Sequence, residues 1–168
     1  MSETDLKAEE NENPDDITTT LDNLRTTRAI IYALKDSDIE SATQFGRDTI
    51  LIITNLLSRV VTQIGQTNVQ PPTLESLIVY IRNLMHTRSA HMRQTVPTAL
   101  LIAWYEVSQL MSIMQNEPEV RITARKSKQL VEIAYDTAIW TYKQLTIQSA
   151  NGNSIDFIDR SSIPYTYE

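Results

Sequence analysis

The sequence contains no cysteine, which removes disulfides, thiolate metal sites and cysteine nucleophiles together. Glycine is nearly as scarce, at three residues in 168. Phosphate-cradling loops, tight β-hairpins and nucleophile elbows all consume glycine, because only glycine enters their backbone conformations freely, so most enzyme folds are disfavoured. No run of 18 apolar residues occurs, and no basic stretch leads into a short apolar one. Neither membrane insertion nor a secretory signal is therefore expected, and the chain is assigned to the interior of a cell or a virion. What is present is ordinary for a folded protein: 41% hydrophobic and 21% charged residues, in a length that fits one core plus a tail.

The net charge of -6 is concentrated at one end. Residues 1–16 hold seven acidic residues and Lys7 alone as a base, a net charge of -6, and residues 17–168 hold 14 of each sign. With little to bury and strong self-repulsion, 1–16 reads as a disordered acidic arm, suited to solubilising the chain or to docking on a basic surface. Two basic clusters offer such a surface. The 30 residues between Glu75 and Glu106 contain no acid and carry Arg82, His86, Arg88, His91 and Arg93; Arg121, Arg125, Lys126 and Lys128 form the second.

Apolar residues recur every three or four positions in five segments, which predicts five helices. The first spans about 17–35, with Ile17, Leu21, Leu24, Ile31 and Leu34 on one side. A second starts behind a Ser37/Glu40 capping pair and runs to about 64 through Ala42, Phe45, Thr49, Ile53, Leu56 and Val60. Its apolar stripe is the broadest, which predicts the central helix of the fold. The third begins at Thr73 as N-cap and carries Leu74, Leu77, Ile78, Ile81, Leu84 and Met85. A fourth opens with Pro97 in its first turn and shows a seam of Leu100, Trp104, Val107, Met111 and Met114, for which core packing is the simplest role. The fifth spans about 118–148 with Val120, Ala124, Ser127, Val131, Ala134, Ala138, Thr141 and Leu145, small enough to admit a close neighbour. Residues 151–168 lack helical period and contain Pro164, so they read as an extended C-terminal arm. The expected architecture is all-α, a five-helix antiparallel bundle over 17–150 between two arms.

No motif announces chemistry. His86 and His91 have no carboxylate within ten residues, so a helical Glu-x-x-His or His-Glu-x-x-His metal site is not expected, nor is a cofactor. Arg82, His86 and Arg93 fall in one stripe beside the apolar face of the third helix, and Arg121, Arg125 and Lys128 are spaced i, i+4, i+7 on the fifth. Cations on a rigid helix suit contacts to RNA or DNA phosphates, which give affinity without sequence preference; a solvated face is the plain alternative. Arg88, on an unbroken third helix, would point to the apolar side and need a partner there. In the C-terminal arm, Ile155, Phe157, Ile158, Tyr165 and Tyr167 form a candidate oligomer interface, since an apolar arm gains by covering its own bundle or a neighbour's.

The run Arg82-Asn83-Leu84-Met85-His86 resembles the arginine-polar-histidine motif of the all-helical HEPN ribonucleases, with three residues between arginine and histidine where that family has four to six. The resemblance covers five residues. It implies an arginine that stabilises phosphate charge and a histidine that handles the proton across a dimer interface. Three functions are therefore expected in order: a non-catalytic, self-assembling helical protein, with a viral or phage structural or nucleic-acid-packaging subunit as its most specific form; a small HEPN-like nuclease; and a helical adaptor that binds a partner protein.

Overall fold

The computed structural model describes residues 14–63, 73–87 and 96–149. These form five helices and no strand: α1 Pro14–Tyr32, α2 Ile39–Gln63, α3 Leu74–Thr87, α4 Thr98–Asn116 and α5 Ala124–Ser149. The fold is an all-α bundle around one continuous apolar core. Most of the acidic arm (1–13), the C-terminal arm (150–168, with Ile155, Phe157, Ile158, Tyr165 and Tyr167) and Arg88, His91 and Arg93 lie outside the described residues.

Local chemistry sets the helix ends. Proline at the first position of α1 costs nothing, because that N–H has no intrahelical acceptor, and α1 starts three residues ahead of the sequence expectation. The expected Ser37 cap of α2 is displaced by one residue. Asp38 is the N-cap: its carbonyl accepts the Ala42 N–H at 2.9 Å, while its carboxylate turns back to accept the Lys35 N–H at 2.8 Å. Thr73 caps α3 as expected, in a reciprocal exchange in which Ser76 N–H donates to Thr73 Oγ1 at 3.1 Å and Thr73 N–H to Ser76 Oγ at 3.0 Å. Pro97 stands one position earlier than expected, as the N-cap of α4, its carbonyl accepting the Leu100 and Leu101 N–H groups.

The start of α5 corrects a larger expectation. Residues 118–123 are not helical; a turn closed by Val120 N–H on the Glu117 carbonyl is followed by a stretch without regular structure, and the helix begins behind Thr123, whose Oγ1 accepts the Lys126 N–H at 3.1 Å. The central helix is α5 rather than α2. It packs most extensively of all against α2 and then α1, and every residue from Ile133 to Thr141 is buried. Polar side chains go under with it, including Ser127, Asp136, Thr137, Thr141 and Gln144.

Contacts fix the helix directions. Tyr32 lies beside Lys128 and Glu132 while Arg25 lies beside Tyr135, so α1 runs antiparallel to α5. Trp104 meets Thr137 and Trp140 while Ile113 faces the start of α5, so α4 also runs antiparallel to α5. By contrast, α2 and α5 begin at the same end. Thr43 Oγ1 accepts the Ile122 N–H at 2.8 Å and donates to the Ile122 carbonyl at 3.3 Å, and Arg47 Nη2 donates to the Pro118 carbonyl at 2.8 Å. Gly46 makes this approach possible, since a β-carbon there would stand 2.6 Å from Ile122 Cδ1 and 3.1 Å from its Cγ2.

Candidate interaction surface

Of the predicted basic residues, Arg82, Arg121, Arg125, Lys126 and Lys128 have described side chains. Arg82 is exposed on α3, and its Nη1 donates to the Tyr105 hydroxyl on α4 at 2.9 Å. His86 belongs to the last turn of α3, with its side chain outside the described residues. Tyr105 adjoins Trp104, which contacts α5 at Thr137; Lys126 lies eleven residues earlier on that helix, about 16 Å along its axis at 1.5 Å per residue. Among the described residues, Arg82 and Lys126 therefore sit at separate levels of the bundle.

The second cluster is also divided. Arg121 falls on the non-helical stretch, so the i, i+4, i+7 ridge with Arg125 and Lys128 does not exist. Arg121, Arg125 and Lys126 are exposed, with no carboxylate within salt-bridge reach among the described residues. Lys128 is half-buried, its ammonium 5.8 Å from the centre of the Tyr32 ring. It joins a staple between α1 and α5: Arg28 lies 5.9 Å from the Tyr32 ring and 5.7 Å from the Tyr135 ring, and Arg28 Nε is 3.1 Å from Glu132 Oε2. The Tyr32 hydroxyl donates to the same carboxylate oxygen at 2.8 Å. Burial, first, and then Glu132, through the hydrogen bond and its charge, raise the Tyr32 pKa above the usual tyrosine value, against a smaller lowering by Arg28. Each ring-cation contact of this exposure contributes about 0.5–1 kcal/mol, so Lys128 serves packing between helices before any ligand.

The surface that stands out is α4, a helix whose sequence pattern pointed only to the core. Its 19 residues carry one charge, Glu106. A helix with so few charges carries apolar side chains on more than one side. Here only one side is inside: Leu100, Ala103, Trp104, Val107 and Met114 are buried, whereas Ile102 is 53% and Ile113 46% exposed. Trp104 packs edge to face on Trp140, and α4 has the least extensive contact with α5 of the three helices that flank it. A cavity of about 450 Å³ lies between them. Leu110, Ile113, Leu130 and Ile133 give it apolar walls, and Glu106, Gln109, Lys126 and Gln129 give it a polar rim. A smaller recess next to it is lined by Thr123, Arg125, Lys126 and Gln129. The signal in the sequence was the charge-poor stretch itself, which carries two seams on different faces of one helix.

Among the described residues no three potential ligands from His, Asp and Glu cluster as a metal would need, and no helix is long and apolar enough to cross a membrane. The site defines a class, a helical bundle with an apolar, groove-flanked outer helix. Comparison with protein-family models, characterised proteins and solved structures finds no match to the chain.

Proposed function

We propose that this chain is a non-catalytic helical protein that works by assembling with copies of itself, as a structural or scaffolding subunit. The observation that supports it is the outer face of α4: a helix with a single charge that leaves Ile102 and Ile113 in solvent beside an apolar groove. Exposed apolar area of this kind on a soluble domain marks an interaction surface. Light scattering of the full chain tests the proposal. Growth of the particle mass with concentration supports assembly, and a monomer at every concentration refutes it.

A second proposal concerns nucleic acid. Arg121, Arg125 and Lys126 are exposed at the start of α5 with no acidic partner among the described residues, a cationic group suited to phosphates and to a packaging role. The nuclease alternative needs Arg82, which is exposed while its Nη1 donates to the Tyr105 hydroxyl. Incubation with labelled RNA separates these roles: a packaging protein shifts the strand intact, a nuclease shortens it.

A further inference from the structure

The exposed stripe of α4 reads Ile102, Glu106, Gln109, Ile113, spaced four, three and four residues apart, the heptad spacing of a helix–helix seam. It is separate from the buried Leu100, Trp104, Val107 and Met114 seam, and all four of its residues are exposed. The stripe is a palindrome in chemistry: apolar, polar, polar, apolar. Two copies laid antiparallel about a two-fold axis between Val107 and Ser108 place Ile102 against Ile113 of the second copy at both ends. In the middle, each Glu106 meets Gln109 of the other copy. A carboxylate accepts and a carboxamide donates, so the polar layers satisfy each other, with a charge-assisted hydrogen bond in each. Lys126 stands across the same groove from Glu106 and supplies the compensating charge.

From this complementarity we infer that the outer face of α4 is occupied by a second copy of the same chain, in an antiparallel, two-fold α4–α4 contact with Ile102 opposite Ile113 and Glu106 opposite Gln109. The inference rests on the assembly function proposed above and specifies its register and direction. A parallel pairing would set Glu106 against Glu106, two like charges in one layer, so the polar centre selects the antiparallel arrangement, as single polar layers do in coiled coils. The contact is isologous and closes at two copies. Four layers cover roughly 16 Å of helix, which makes the dimer weak, with a dissociation constant on the order of 1–100 μM.

The absence of native cysteine makes the register directly readable. Full-length Ile102→Cys and Ile113→Cys chains are oxidised separately and mixed, at concentrations where light scattering of each finds dimer. The mixture is expected to give a disulfide-linked dimer, and neither variant alone should, because like positions lie about 16 Å apart in the antiparallel pair and a disulfide needs α-carbons within about 7 Å. Gln109→Glu, which sets two carboxylates face to face, should weaken dimerisation at least tenfold. Self-linking of either variant alone, an unlinked mixture despite dimeric mass, or an unaffected Gln109→Glu dimer would overturn this pairing while leaving assembly standing. A monomeric mass for the unmodified chain would remove the assembly function with it.

Discussion

The indole N–H of Trp104 on α4 donates to Thr137 Oγ1 on α5 at 2.8 Å, and that hydroxyl donates in turn to the Ile133 carbonyl at 2.7 Å. The Trp104 ring meets Trp140 edge to face, with centroids 5.6 Å apart and planes at 70°. This is the principal anchor of α4 on the central helix. Trp104→Ala should therefore cost about 3–5 kcal/mol of stability, and Trp104→Phe, which keeps most of the ring but loses the hydrogen bond, a smaller share. Urea unfolding followed by circular dichroism checks both; an effect of Trp104→Ala below that of Trp104→Phe would contradict the anchor.

Thr141 is fully buried on α5 and its hydroxyl has no hydrogen-bond partner among the described residues. A buried hydroxyl without a partner costs about 1–3 kcal/mol, and valine has nearly its shape. Thr141→Val should raise the unfolding midpoint, by an amount equivalent to about 1 kcal/mol. A lowered midpoint would show that the hydroxyl is engaged.

Gly46 sits inside α2, where alanine would ordinarily be favoured by about 1 kcal/mol. Ile122 blocks that gain. Its backbone is held on both sides by Thr43, and the new β-carbon would press on two of its side-chain atoms. Overpacking costs about 1–3 kcal/mol, so Gly46→Ala should be neutral to destabilising, and Gly46→Val clearly destabilising. Stabilisation by Gly46→Ala in thermal unfolding would count against the close α2–α5 approach.

Tyr32 has a raised pKa in the folded state. A group raised on folding contributes stability that is complete below its unfolded value, near 10, and is lost as pH rises through the folded value. The staple between α1 and α5 should therefore loosen on the alkaline side only. The difference between wild-type and Tyr32→Phe phenolate titrations isolates this group from the other six tyrosines. Its midpoint should lie above 10 and move down in Glu132→Gln; an unmoved midpoint would mean that Glu132 does not govern it.

Much of the fold was legible because hydrophobic periodicity and burial coincide. Ile17, Leu21, Leu24 and Ile31 on α1, Ala42, Ile53, Leu56 and Val60 on α2, and Leu74, Leu77, Ile78 and Ile81 on α3 are all buried. The centrality of α5 was hidden, since Ser127, Asp136, Thr137 and Gln144 look like surface residues until α1, α2 and α4 pack around them. The basic ridge failed for a local reason: Thr123 caps the helix after Arg121, and a residue outside the helix has no share in its register. The outer seam of α4 was present as spacing, but the inner one, with Trp104, dominated the pattern.

Nucleic-acid binding at the start of α5 should be salt-sensitive and opposed by the acidic residues of 1–13. Arg125→Gln combined with Lys126→Gln should flatten the dependence of log affinity on log salt by about 1–2, because each phosphate that a cation neutralises adds about 0.7–0.9 to that slope. Fluorescence anisotropy with a labelled oligonucleotide measures it; an unchanged slope would exclude these two cations.

The most direct test of the account is sedimentation equilibrium of the full chain beside Ile102→Asp combined with Ile113→Asp, two substitutions at exposed positions that leave the core untouched. The unmodified chain should approach twice its 19.2 kDa mass as concentration rises, and the double variant should remain at 19.2 kDa with unchanged helicity. An unmodified chain that stays monomeric up to about 1 mM, or a double variant that associates equally well, would contradict assembly through the outer face of α4.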